Sequence, residues 1–197
     1  TTVEQLQLFH DLGFNRLSVG QQDFDPEVQQ TVHRVQSYEM MEEFLASARD
    51  IGFTSINMDL MYGLPLQTIK SFDDTIDKIL KLRPERIALF NYAHLPAMLK
   101  HQRVFTEEML PNPQDKLQIF LDSVKQFTDA EYVFIGLDHF AVPGDDLSIA
   151  LKEKTLRRNF MGYTTCAGSD LYAFGVTGIS SFEDTFAQNY KDVGKYT

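Results

Sequence analysis

The sequence predicts an α/β fold: a section of a parallel, barrel-like sheet in residues 1–140, followed by a differently built module in residues 141–197. Three observations lead there. Four short apolar runs alternate with amphipathic stretches at roughly 30- to 45-residue intervals, the spacing that right-handed crossovers between parallel strands require. The runs are rich in Ile, Phe, Leu and Val with little strict alternation, as in a sheet covered on both faces. Beyond residue 140 the pattern gives way to turns and scattered glycines.

Each element has a local reason. Thr2 and Gln5 have capping-box spacing, so a helix is expected over Val3–Leu12, stopped by Gly13. Phe14–Val19 is the first expected strand, ending at Gly20, with helical stretches over Pro26–Arg34 and Tyr38–Ile51, the latter stopped by Gly52. Phe53–Leu60 is the second strand and Ile69–Leu82 its helix, where Ser71 and Asp73-Asp74 place hydroxyl and negative charge near the start. Arg86–Phe90 is the third strand, Pro113–Asp129 a helix, and Tyr132–Leu137 the fourth strand. A complete eight-unit barrel takes about 250 residues. Four units are too few to close one and predict a section of a TIM-type (βα)n barrel with parallel strands, or an open curved sheet. The second module opens with the turn cluster 141–146 and a short helix over Leu147–Glu153. Arg157–Tyr163 and Leu171–Ile179 follow as strands or extended segments.

Composition bounds the function. The 197 residues include 16 Phe and 8 Tyr, enough for a substantial core. A net charge of −10 argues against a nucleic-acid backbone as partner, since that requires a basic face. No apolar run reaches the roughly 20 residues that span a bilayer. The single Cys166 suits a reducing compartment and cannot by itself build a thiolate-ligated cluster. The chain begins Thr1-Thr2-Val3 without Met and enters a helix at once, so it is expected to be part of a longer fold. P-loop, dinucleotide, nucleophile-elbow and zinc-helix motifs are absent from the sequence.

Candidate residues cluster at the carboxyl ends of the expected strands, where parallel α/β folds bind ligands. Gln22 follows the first strand; its amide suits an adenine edge, a ribose or an amino-acid head group, and equally the start of the next helix. Asp23 and Asp25 read as helix-start residues beside Pro26. Arg34, at the end of that helix, can fork onto a carboxylate or simply complement the helix terminus. Asp59, in apolar surroundings, needs a polar ligand or the amides of the Gly63-Leu64-Pro65 turn. Ala93 would let a flat ring approach the backbone, and His94 beside it reads as structural. Asp138 and His139, adjacent in an expected strand, would face opposite sides and not couple. Arg157, Arg158 and Asn159 form an edge suited to carboxylates, or a solvated strand start. Cys166 reads as inert.

Read together, LSVGQQDF with His33-Arg34, then NMDLMYGLP, FNYAHLP, GLDHFA and RNFMGYTT, resemble the oxygen-independent coproporphyrinogen III oxidases, radical S-adenosylmethionine enzymes of heme biosynthesis. The first two motifs are shared with related heme-chaperone-like proteins; the last three discriminate for the oxidase. The resemblance implies a cytoplasmic enzyme with a partial barrel, a [4Fe-4S] cluster, two S-adenosylmethionine molecules and an electron donor for the cluster. A 5′-deoxyadenosyl radical would take hydrogen from each of two propionates of coproporphyrinogen III, and loss of carbon dioxide and an electron would leave vinyl groups. It further implies that Gln22, Arg34, Asp59, Ala93 and Ile179 contact S-adenosylmethionine. The family's CxxxCxxC cluster loop is not in this sequence, so the cluster ligands are expected outside it. The chain is then expected to be inactive alone and prone to self-association through barrel edges. Met161 stands where the family commonly has Gln. A non-catalytic heme-chaperone-like relative is the alternative reading.

Overall fold

The computed structural model describes residues 1–166 and 168–197, which divide into two compact units, Thr1–Ile149 and Ala150–Thr197. The first unit is an α/β sandwich of one sheet and its helices. Helix α1 (Val3–Asp11) is entered through the expected box: Thr2 Oγ1 accepts from the Gln5 amide at 3.3 Å, and Gln5 Oε1 accepts from the Thr2 amide at 2.9 Å. Strand β1 (Arg16–Gln22) lies parallel to β2 (Ser55–Tyr62), which lies parallel to β3 (Arg86–Asn91). Between them run α2 (Pro26–Thr31), α3 (Tyr38–Ile51) and α4 (Ile69–Leu82). Helix α5 (Pro113–Asp129), capped by Asn112 with Pro113 at its first position, leads to β4 (Val133–Gly136) and β5 (His139–Ala141).

The fourth strand departs from the expected parallel neighbour. The sheet order is β1-β2-β3-β5-β4, with β5 antiparallel to both β3 and β4. A two-residue turn, Leu137-Asp138, folds the chain back on itself, with Leu137 at φ 52°. The returning strand takes the edge of β3 that a parallel crossover would have used.

One face of the sheet builds the core. In β2, Ile56, Met58 and Leu60 are fully buried, as are Ile87 and Leu89 of β3 and Phe140 of β5. They meet Met41, Leu45 and Ala48 of α3, then Phe72, Ile76 and Ile79 of α4, and Ile119 and Phe127 of α5. These helical positions recur at three- and four-residue steps, the spacing that gathers apolar side chains on one face. The alternate residues of β2, Asn57, Asp59 and Met61, are half-buried on the opposite face. Alternation is thus real in β2, and its polar phase supplies the candidate site.

Three polar fixtures hold the ends. Asp145, 4% exposed, pairs with Arg86 at 2.8 Å and accepts from the Leu147 amide at 2.8 Å, which starts helix α6 (Asp146–Lys152). Glu85 accepts from the Ile56 amide at 2.9 Å and pairs with Arg49. The Tyr132 hydroxyl donates to the Pro84 carbonyl at 2.7 Å, and burial pushes its pKa up to about 12.

In the second unit, β6 (Arg157–Asn159) and β7 (Gly162–Thr164) form one hairpin and β8 (Ile179–Phe182) and β9 (Thr185–Gln188) another. Of the two readings for Leu171–Ile179, a strand or an extended segment, no strand forms before β8; a single bridge, Leu171 to Ser181, is made there. Gly175 at φ 89° and Thr177 at φ 66° turn the backbone out of any ladder. Asn189 instead donates to the Ala173 and Gly175 carbonyls at 3.2 and 2.9 Å. The short helix α7 (Val193–Tyr196) closes the chain.

Candidate functional site

The strand expected to stop at Gly20 runs on to Gln22 through a bulge: Gly20 faces Asp59, Gln22 faces Leu60, and Gln21 is the extra residue. Bulges re-aim side chains at strand ends. Here Gln22 is held at φ 66°. Arg34 is not at a helix terminus, because α2 ends at Thr31 and His33 turns the chain at φ 55°. Its guanidinium folds back across the bulge, Nη2 donating to the Gly20 carbonyl at 2.7 Å and Nε to Gln36 Oε1 at 3.0 Å. A Cβ on Gly20 would stand 2.7 Å from Gln22 Nε2 and 2.8 Å from Arg34 Nη2, so the missing side chain is what lets the two approach.

The bulge rests on Asp23, and this corrects its reading as a helix-start residue; Asp25 alone caps α2, accepting from the Glu27 and Val28 amides. Asp23 is 1% exposed. It accepts from the Thr75 hydroxyl at 2.6 Å, Gln67 Nε2 at 2.5 Å and the Asp25 amide at 2.7 Å. Burial raises its pKa, against the opposing pull of those donors. Gln67 also accepts from the Gly63 amide and donates to the Met61 carbonyl, so one amide ties the loop after β1 to the loop after β2. Asp59 therefore does not anchor that turn.

Asp59 faces the same side of the sheet as Asn57, whose Nδ2 donates to Asp59 Oδ1 at 2.6 Å and to Ser18 Oγ at 3.0 Å. Burial raises the Asp59 pKa; the Asn57 hydrogen bond and the charges of His139 and Arg34 pull the other way. Gly20, Asp59, Ala88 and His139 form one row across four strands. His139 Nδ1 lies 2.6 Å from Asp138 Oδ1, contrary to the expectation that these neighbours would not couple. Asp138 sits in the turn, not in the strand, and is free to bend toward the ring.

Gln22, Arg34, Met61 and Tyr92 line a cavity of about 670 Å³, closed further by His33 and Phe105. Two buried polar atoms among its lining residues, Gln22 Oε1 and the Tyr92 hydroxyl, have no partner among the described residues. Unpaired buried polar atoms are costly and mark ligand sites. Tyr92 was missed in the sequence, although it precedes Ala93 in the same motif; a polar ring at a strand end was the available signal. Burial raises its pKa, so it stands as a hydrogen-bond donor. Ala93 is exposed and its carbonyl accepts from Gln102 at 3.1 Å. Ile179 opens β8 in the second unit. The structure thus brings Gln22 and Arg34 to one cavity, with Ala93 one residue beyond the cavity-lining Tyr92; Asp59 does not line that cavity but stands across from Gly20, within reach of the Arg34 charge.

An adenosyl amino acid fits these donors and acceptors: an orphaned amide oxygen, a guanidinium with unused N–H groups and a carboxylate. An iron–sulfur cluster does not fit this chain. Cys166 is exposed and alone, and no group of three or more His, Cys, Asp or Glu that could hold a metal occurs among the described residues. No helix of the described residues is long and apolar enough to cross a membrane.

Residues 1–79 match the model of the radical SAM superfamily. The oxygen-independent coproporphyrinogen III oxidase of Helicobacter pylori (strain J99) is 48% identical over 195 residues, 99% of this chain and 43% of the relative. That of Escherichia coli (strain K12) is 49% identical over 184 residues, 93% and 40%. The solved E. coli coproporphyrinogen III oxidase, HemN, described as a radical SAM enzyme, superposes with a TM-score of 0.91 at 46% identity, covering 98% of this chain and 45% of that one. The chain spans about two fifths of the length of these curated relatives. Residues 1–79 thus resemble the radical SAM superfamily, and over nearly its whole length the chain is similar to the oxygen-independent coproporphyrinogen III oxidases.

Proposed function

We propose that this chain serves the oxidative decarboxylation of two propionates of coproporphyrinogen III to vinyl groups, giving protoporphyrinogen IX. In this reading its sheet is a section of a partial TIM-type barrel and residues 141–197 begin the substrate-side extension. The observation that carries the reading is that Gln22 and Arg34 line one cavity with an unpartnered amide oxygen, while Asp59 stands across from Gly20 within reach of the Arg34 charge.

Bound S-adenosylmethionine supplies the hydrogen-abstracting radical. The chain's own residues bind and orient. Asp59 accepts from ribose hydroxyls or an ammonium, and Arg34, with N–H groups left after Gly20 and Gln36, pairs a carboxylate. Gln22 donates and accepts at a base or sugar edge. Ala93 offers backbone to a flat ring, and Ile179 supplies an apolar contact. Two cofactor molecules, a [4Fe-4S] cluster on cysteines outside this chain, an electron donor and a cytoplasmic setting complete the proposal. The lone thiol is consistent with a reducing compartment.

The test is a chimera in which this chain replaces the matching segment of the Helicobacter pylori relative, reconstituted with iron and sulfide and supplied anaerobically with coproporphyrinogen III. Loss of two carbon dioxides per substrate is expected. A folded, cluster-loaded chimera that binds heme but decarboxylates nothing would instead support a non-catalytic, heme-chaperone-like role.

A further inference from the structure

The second unit holds a polar cleft of about 310 Å³ between the β6–β7 hairpin and the stretch from Gly168 to β8. Arg157, Arg158 and Asn159 line one part of it, and Asp170 and Glu183 also reach it. Opposite charges that share a cleft ordinarily pair, yet neither guanidinium forms an ion pair with either carboxylate. Arg157 makes one hydrogen bond, to the neighbouring Leu156 carbonyl at 3.1 Å.

Strand geometry says which arginine faces the cleft. Successive residues of β6 point to opposite sides. Thr164, the cross-strand partner of Arg157, lines the cleft; Tyr163, the partner of Arg158, does not. Arg158 instead lies over the Tyr163 ring at 5.8 Å. Arg157 is therefore the cation directed into the cleft, with Arg158 at its margin. Glu183 enters from the turn between β8 and β9, held at φ 46°, and Ser181 lines the cleft from β8. The result is a cleft whose lining offers both fork donors and carboxylate acceptors.

We propose that this cleft binds the propionate-bearing edge of a pyrrole: the carboxylate on Arg157, with Thr164 beside it, and the pyrrole N–H on Asp170 or Glu183. The choice of a pyrrole rests on the decarboxylase reading above; the complementarity to a carboxylate joined to an N–H donor does not. At about 310 Å³ the cleft accommodates one ring and its side chain, at the lower end of small-molecule sites. In a chain of net charge −10 it is also a place where an anion meets an unneutralised guanidinium.

Isotope-labelled full chain titrated with a monopyrrole carrying one propionate side chain, with propionate alone and with unsubstituted pyrrole, tests this by backbone and arginine-side-chain NMR. Saturable shifts at Arg157, Thr164 and Ser181 are expected, with the monopyrrole propionate tighter than propionate. Arg157→Gln should weaken both carboxylate probes by about tenfold. The double variant Asp170→Asn/Glu183→Gln should weaken the monopyrrole propionate alone. Spectra unchanged elsewhere confirm that the variants fold, which the exposure of all three side chains favours. Absence of saturable shifts at the cleft, or binding indifferent to Arg157→Gln, would overturn the proposal. Equal affinities for propionate and the monopyrrole would overturn the role of the two carboxylates. Binding is read without turnover, so failure here leaves the decarboxylation assay to decide the larger reading separately.

Discussion

Gly20 shows how a residue without chemistry shapes a site. Its absent side chain leaves room for Gln22 and Arg34, whose atoms would stand within 2.8 Å of a Cβ. Those are ends of flexible side chains and can move, so Gly20→Ala should change stability by less than about 1 kcal/mol. S-adenosylmethionine affinity of the chimera should nevertheless fall by about tenfold, read by thermal melting and equilibrium binding; unchanged affinity would separate Gly20 from the site. Asp59 illustrates the opposite case, a carboxylate that burial holds at a raised pKa. The native state then binds that proton more tightly than the unfolded chain, so ionised Asp59 costs stability. That cost is present at neutral pH and disappears as pH falls through the raised native value toward the ordinary one. Asp59→Asn should therefore melt higher than the parent near neutral pH, with the difference shrinking in acid; a variant less stable at neutral pH would contradict this. Gln22 and Asp59 were legible because each is a polar group ending an apolar run. Asp23 was misread because nothing local announces that its partners are Gln67 and Thr75, some fifty residues away in the chain. The Asp138–His139 pair was misread because period-two alternation fails where a strand becomes a turn.

At the scale of elements, helices were read closely because their signals are local. Thr2, Ser37, Thr68 and Asn112 each accept from an amide in the first turn, and Gly52 at φ 116° ends α3. Strand partners are set by distant sequence, and there the reading failed: β5 took the edge of β3. The joint between β2, β3 and α6 is one ion pair, Arg86 with Asp145, in which both side chains are largely buried. Asp145 also receives the Leu147 amide and a weaker bond from Ser55. Removing one partner of such a pair strands the other, typically at about 3–5 kcal/mol. Asp145→Ala should cost that much in urea unfolding of the full chain, whereas Asp146→Ala, breaking an exposed pair with Arg16, should cost less than about 1 kcal/mol. Similar losses for the two variants would show that the buried joint is not what holds this end.

For the whole molecule, the mixed α/β class with parallel strands followed from periodicity, but closure of a barrel could not be read from it. The sheet ends at β1 on one side and β4 on the other. Unpaired edges and exposed apolar side chains beside them, such as Leu12 and Phe14 next to β1, invite association. We accordingly expect the chain to sediment with a mass that rises with concentration; a monomer throughout would contradict that proposal. The cluster chemistry lies beyond this chain's donors, whereas the cofactor wall proposed above would be built from them. The most direct test of that wall is the equilibrium S-adenosylmethionine affinity of the chimera carrying Asp59→Ala or Gln22→Ala. Losses of about thirtyfold and about tenfold respectively are expected, with cluster content preserved and both variants folded. Folded variants that bind S-adenosylmethionine as tightly as the parent would contradict it.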